Sequence, residues 1–202
     1  MIGISPEKSG KLNLAIFASG GGSNAKSIMH YFENHDTISV SLVLSNKADA
    51  GVHQVAASFG VASISVTKAQ LSDPSVLLTL LKEKNIDYIV LAGYLLLIPT
   101  WLIAAYPDKI FNIHPSLLPK YGGKGMYGHH VHEAVKANQD AESGMTIHLV
   151  NEEFDKGEIL FQAKTKIPAD MSATDIAKAV LKLEHENYAP TIEKFISARY
   201  RQ

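Results

Sequence analysis

The chain of 202 residues contains no cysteine. Disulfides, thiolate nucleophiles and Cys-ligated zinc are thereby excluded. It also lacks a surplus of either charge: 19 Lys and Arg stand against 20 Asp and Glu, a net charge of -1. A protein that holds a phosphate backbone usually carries a basic excess, so nucleic acid is not expected as the main partner. No apolar run approaches the ~18 residues of a membrane span. The opening MIGISPEKSGKLN lacks the apolar core of a signal peptide. Charged residues are scarce at 19%, below the usual ~25%, whereas 46% of the residues are hydrophobic. That share can bury a core and excludes a wholly disordered chain. What remains is the expectation of a soluble cytoplasmic protein without a membrane partner, folded as one domain over residues 1–202.

Apolar runs and turn residues alternate regularly along the chain. Residues 1–11 form a polar lead. Residues 12–18 (LNLAIFA) read as a strand that runs into Gly20-Gly21-Gly22-Ser23-Asn24, followed by an amphipathic helix over 25–32. The β-branched run 38–44 (ISVSLVL) predicts a second strand, 48–59 a helix and 62–66 a third strand. Ser72-Asp73-Pro74 is a helix start, with Pro in the first turn, and that helix reaches about Lys84. The nearly all-apolar run 88–92 (YIVLA) suits a strand covered on both faces. A short helix is expected over 99–105, a strand over 109–114 (KIFNIH) and a Gly- and Pro-rich loop over 115–128. A short helix near 130–136, strands at 145–150 and 159–167, and a helical region over 172–202 interrupted near Pro190 complete the series. Such alternation implies an α/β fold built on a mostly parallel twisted sheet with helices on both faces. In such sheets ligands bind beyond the carboxyl ends of the strands. Here that means after Ala18, after Ala92, and at and after Asn112.

Two of these places and two further segments are candidates for chemistry. Glycines at 20–22 let the backbone approach a ligand, and the helix that follows offers free N–H groups that suit a phosphate. The same residues also suit an ordinary tight turn with a Ser or Asn cap. Gly20-x-Gly22-x-x-Ala25 fits a loose dinucleotide fingerprint. The second strand ends in Ser45-Asn46 without the acidic residue that a nicotinamide cofactor needs, so a monophosphate fits better. No Gly-Lys-Ser/Thr sequence of a P-loop follows. Asn112 and His114 lie two apart on a strand, so both side chains leave the same face. An amide beside an imidazole suits a carbonyl that becomes an oxyanion while a leaving group takes a proton. A polar pair hydrogen-bonded within the sheet end is the plainer alternative. The acidic run Asn151-Glu152-Glu153-Phe154-Asp155 reads as a solvated turn unless Asp155 folds back toward His114, where its charge would raise the histidine pKa. The cluster His129-His130-x-His132 has no neighbouring Asp or Cys, and adjacent side chains on a helix point apart, so no metal is expected.

Taken together these segments resemble the formyltransferase family that uses 10-formyltetrahydrofolate, over nearly the whole chain from Leu12 to about Pro190. The landmarks are Gly22-Ser23-Asn24, Ser45-Asn46-Lys47-Ala48-Asp49-Ala50, Leu91-Ala92-Gly93-Tyr94, the block from Asn112 to Tyr121, and Phe154-Asp155-Lys156-Gly157. The first two landmarks are similar to the branch of the family that acts on phosphoribosylglycinamide in de novo purine biosynthesis.

The resemblance implies a single-domain Rossmann-like formyltransferase fold and the transfer of a formyl group from the folate to the glycinamide amine. It implies Asn112, His114 and Asp155 as the catalytic set, with His114 kept protonated by Asp155. Gly22, Ser23, Asn24 and Glu184 would hold the phosphorylated substrate. Leu95, Leu96, Leu97, Ile98, Asn112, Asn151, Glu152, Glu153, Phe154 and Asp155 would line the folate pocket, and Thr146 and His148 would support from behind. No metal is implied, and a monomer or weak homodimer is expected. Some positions depart from the family pattern: Leu96 stands where Arg is common, Leu181 where Gln is frequent and Lys156 where Gly is frequent. A tRNA-acting relative would be expected to add a basic domain, and a hydrolase relative a regulatory domain ahead of the first strand. A nucleotide-binding module without activity would not be expected to retain Asn112, His114 and Asp155.

Overall fold

The computed structural model describes residues 10–200, so most of the polar lead expected over 1–11 lies outside the described residues. Seven strands, β1 (Leu12–Phe17), β2 (Ile38–Ser45), β3 (Ala62–Ser65), β4 (Ile86–Leu91), β5 (Ile110–His114), β6 (Glu142–Leu149) and β7 (Ile159–Lys166), form one sheet in the order β3-β2-β1-β4-β5-β6-β7. The first five strands run parallel, and β6 and β7 are added antiparallel. Side chains alternate across β1: Leu12, Leu14 and Ile16 face one core, Ala15 and Phe17 the other. Helices cover both faces, which is why the inner strands read as continuous apolar runs. Helices α1 (Ser23–Phe32), α2 (Val52–Ser58), α6 (His129–Ala137) and α7 (Ala173–Tyr200) supply Ile28, Met29, Val52, Val135, Ile176, Tyr188 and Ile192 to the first core. Helices α3 (Lys68–Ser72), α4 (Pro74–Glu83) and α5 (Thr100–Ala105) supply Leu71, Leu77, Leu81 and Leu102 to the second. Each such Leu or Ile contributes about 1.5–3 kcal/mol relative to leaving it in water.

Three elements differ from the sequence expectation, each for a local reason. Helix α3 was not expected; Thr67 and Gln70 close a reciprocal capping box at its start, which satisfies two orphan backbone donors. Helix α2 starts at Val52 rather than 48, because the Val52 N–H donates to the Gly20 carbonyl at 3.1 Å and ties this turn to the loop after β1. Helix α7 runs unbroken through Pro190. A proline removes one helical hydrogen bond, but Tyr188, Ala189, Ile192 and Ile196 are buried on both sides of it and hold the axis.

Strand order reverses at β1. From there the chain goes outward through β2 and β3, then returns to β4 on the other side. The helix after β1 packs on the first core and the helix after β4 on the second. Their connections therefore part and leave a crevice at the carboxyl ends of β1 and β4, the place where open α/β sheets bind ligands.

Candidate active site

The loop after β1 enters α1 at Gly22, which has φ 80°. A Cβ there would lie 2.8 Å from Val52 Cγ2 and 2.9 Å from Val52 Cα, so only glycine fits. Helix α1 has no side-chain cap, and the N–H groups of its first turn point outward without intrahelical acceptors. Ser23 is exposed there. Asn24 Nδ2 donates to Glu184 Oε2 of α7 at 2.7 Å, while Asn24 Oδ1 is buried with no partner among the described residues. Burial pushes the Glu184 carboxyl above its ordinary value, and the hydrogen bond from Asn24 opposes the rise.

Beyond the switch point lies a cavity of about 580 Å³. Leu95, Leu96, Leu97 and Ile98 line one side, Asn151, Glu153, Phe154 and Asp155 another, and residues 123–128 a third. Leu95 and Leu97 turn outward, whereas Ile98 is buried and Leu96 packs against the second core. Glu152 is exposed and does not line the cavity. The substrate set Gly22, Ser23, Asn24 and Glu184 lies outside this cavity too; Ser19, Gly20 and Lys47 form its wall on that side.

At the floor stand Asn112, His114 and Asp155. Asp155 sits in the turn between β6 and β7 at φ 54°, and its Oδ2 is 3.6 Å from His114 Nδ1 while its Oδ1 is 3.5 Å from Asn112 Nδ2. The acidic run is therefore not merely a solvated turn: its last residue folds back onto the strand pair. His148 fixes the amide. Its Nδ1 bonds the Leu149 carbonyl at 2.8 Å, which only accepts, so Nδ1 carries the hydrogen and Nε2 accepts from Asn112 Nδ2 at 3.1 Å. The other Asn112 amide hydrogen has only the long contact to Asp155 and is available to a better acceptor. Thr146 stands behind, donating to the Ser116 carbonyl at 2.6 Å and accepting from Leu118 N at 3.0 Å.

His114 differs from the expectation. Its Nε2 donates to the Tyr121 carbonyl at 2.7 Å. Burial pulls its pKa below the ordinary histidine value; Asp155 and the Tyr121 carbonyl pull upward but do not overcome burial, and His148 adds to the fall. Burial thus works against the standing imidazolium that the carboxylate alone would favour, and with Nε2 donating to Tyr121 it is Nδ1 that faces Asp155. Burial also pushes the Asp155 carboxyl upward, but the groups around it hold it below the usual range, among them the Gly123 N–H, which donates to Oδ2 at 2.9 Å. Asp155 is ionised.

Two contributors were invisible to sequence reasoning because they are backbone groups: the Tyr121 carbonyl on His114 and the Gly123 N–H on Asp155. Ser19 is missed for a different reason, since nothing in its residue type distinguishes it, and Lys47 enters only as part of a family landmark, with no site role. Of the histidine cluster, His129 and His130 face Glu133 at the surface. His132 points inward, where burial, with His129 and His114, holds it down at about 4. Among the described residues no group of three His, Cys, Asp or Glu side chains is arranged to hold a metal. Nor is any helix among them long and apolar enough to cross a membrane.

The sequence profile of the family described as Formyl transferase matches residues 12–192. The chain belongs to the formyl transferase family. Within the family it is 40% identical over 195 residues to phosphoribosylglycinamide formyltransferase, chloroplastic, of Arabidopsis thaliana, covering 93% of this chain and 66% of that protein. It is 33% identical over 195 residues to phosphoribosylglycinamide formyltransferase of Escherichia coli, covering 94% of this chain and 90% of that protein. The chain spans less than two thirds of the plant relatives' length, 66% and 61%. Among solved structures, glycinamide ribonucleotide transformylase 1 from Symbiobacterium toebii superposes with a TM-score of 0.85 at 27% identity, covering 95% of this chain and 91% of that one. Phosphoribosylglycinamide formyltransferase from Brucella melitensis gives 0.82 at 33% identity, covering 92% and 95%. The expected fold class, a Rossmann-like formyl transferase sheet that is mostly parallel, is the one observed.

Proposed function

We propose that this formyl transferase moves the formyl group of 10-formyltetrahydrofolate to the amine of 5'-phosphoribosylglycinamide, giving the N-formyl product and tetrahydrofolate, a step of de novo purine biosynthesis. The observation that carries the reading is the meeting of Asn112, His114 and Asp155 at the floor of a cavity that ends at a glycine loop. The cavity volume suits a ligand of folate size, and its wall of Leu95, Leu97, Tyr127 and Phe154 suits an aromatic ring system. Two strand spacings of about 4.8 Å separate β1 from β5, so the loop after β1 and the strand that carries Asn112 and His114 are offset by about 10 Å across the sheet. That span matches one substrate with a phosphate at one end and an amine at the other.

The chemistry follows from the protonation states. The amine attacks the formyl carbon, and the free Asn112 N–H donates a hydrogen bond to the carbonyl oxygen as that oxygen gains negative charge. The attacking nitrogen becomes cationic and must lose a proton. Neutral His114 takes it on Nδ1, and the imidazolium so formed is held by the Asp155 carboxylate. The same proton then passes to the N10 leaving group as the carbon–nitrogen bond breaks. Ser23, Asn24 and the N–H groups after Gly22 hold the phosphate, and Glu184 contacts the glycinamide portion. The reading covers residues 1–202 as one catalytic unit with small-molecule partners, as a monomer or weak homodimer. It keeps the cytoplasm as the compartment; two plant relatives carry "chloroplastic" in their names, and fractionation decides between the two.

A spectrophotometric assay of folate turnover, run with and without the phosphoribosylglycinamide, tests the reaction. Tetrahydrofolate formation that requires the amine is the expected result. Equal formation in water alone would make the chain a hydrolase instead. Within that assay, Ser23→Ala combined with Asn24→Ala is expected to raise KM for the phosphorylated substrate about 10- to 100-fold, the scale of lost bonds to a charged group, with KM for the folate close to wild type. Varying each substrate in turn reads this directly, and an equal rise for the folate would contradict the placement of the phosphate.

A further inference from the structure

Ser19 is the last residue before the glycine loop and is 3% exposed. Its backbone N–H donates to the Gly93 carbonyl at 3.0 Å, which continues the pairing of β1 with β4 past the end of the sheet. Gly93 then turns at φ 73°, a conformation open to glycine at little cost, and the chain doubles back. That turn brings the Leu95 N–H to Ser19 Oγ at 3.0 Å. The hydroxyl passes its own hydrogen on to Asn46 Oδ1, in the connection after β2, at 2.5 Å. The result is a relay from Leu95 N–H through Ser19 O–H to Asn46, in which each bond polarises the next. It crosses the crevice where the connections after β1 and β4 part. Three walls of the cavity meet in it: Gly20 of the phosphate loop, Lys47 beside Asn46, and the run 95–98.

We propose that Ser19 is a positioning residue that sets the folate wall against the phosphate loop, so that the formyl donor and the amine substrate are held at the distance their reaction needs. The inference rests on the functional reading above. Ser19 touches no reacting atom; it acts through the Leu95 backbone and the Asn46 side chain. Without the hydroxyl, the Leu95 amide is stranded in a partly buried place and the 95–98 wall loses its tie to the sugar-phosphate side. The hydrogen bonds tie the Asn46 side chain to that wall through Ser19.

The single tryptophan, Trp101, packs against the core that also holds Ile98 and Leu96, and its fluorescence reports on this wall. Titration with 10-formyl-5,8-dideazafolate is expected to show about tenfold weaker binding for Ser19→Ala, within the range that a stranded amide donor costs. KM for the formyl donor should rise by a similar factor, while the pH dependence of kcat keeps its position because the catalytic trio is untouched. Asn46→Ala is expected to weaken the folate analogue too, although Asn46 does not line the cavity, and Ser19→Ala/Asn46→Ala is expected to be no worse than Ser19→Ala alone. Wild-type binding that is matched by both single variants, or effects that add in the double variant, would overturn the proposal. A wild-type protein that fails to bind the analogue would remove the functional reading, and this inference with it.

Discussion

Asn112→Ala is expected to lower kcat about 10²–10³-fold, the usual loss when one preorganised oxyanion donor is removed, with KM for either substrate changed far less. The split follows from where the amide points. His148 accepts one Asn112 hydrogen at 3.1 Å and so fixes the rotamer, while the other hydrogen has only a 3.5 Å contact to Asp155. A planar formyl oxygen gains little from that free hydrogen in the ground state. The oxyanion gains much more, because charge develops inside a cavity from which a bound folate displaces water. An interaction made mainly in the transition state lowers kcat and kcat/KM together. Asn112 is partly exposed at the end of β5, so truncation leaves no apolar void and the melting temperature should stay within a few degrees of wild type. Steady-state kinetics with both substrates saturating, together with a thermal melt, check this. A variant with near-normal kcat and raised KM would reduce Asn112 to a binding group.

The sheet was legible because strand periodicity and glycine punctuation are local properties. The same holds for Asn112 and His114: a spacing of two on a strand settles that they share a face, whatever else the fold does. Asp155 was only conditionally legible. Its approach depends on the turn between β6 and β7, on a left-handed backbone at φ 54°, and on a bond from Gly123, 32 residues earlier in the chain. No spacing rule encodes such a contact. The direction in which the His114 pKa moves is not legible for a related reason. A neighbouring carboxylate can be guessed from the acidic run, but desolvation depends on how much of the fold closes around the ring. Glu152 is exposed and off the cavity wall, and a run of residues gives no sign of which one faces away. Ser19 illustrates the opposite failure. A serine at a strand end is unremarkable until the strand order shows that it sits at the switch point, and strand order is a long-range property.

Asp155→Asn separates the two accounts of His114 by the sign of a pH shift. The amide is close in shape to the carboxylate and can still accept from the Gly123 N–H, so the main loss is the negative charge. Turnover is expected to fall about 10²-fold, the low end of what acid–base assistance contributes, because the imidazolium formed during transfer loses its counter-charge. The profile of kcat/KM against pH reports the free enzyme. If neutral His114 is the form that accepts the amine proton, activity falls as pH drops through the folded His114 pKa, which burial has already lowered. Asp155 is one of the groups pulling that pKa upward. Removing its charge lets the pKa fall further, so the acid limb of the variant moves to lower pH even as its plateau drops. Were His114 instead required as a standing imidazolium, activity would fall as pH rises through the same pKa. The substitution would then pull an alkaline limb downward and narrow the active range. A variant with a lower plateau and an acid limb displaced to lower pH supports the shuttle, and an alkaline limb displaced to lower pH would refute it.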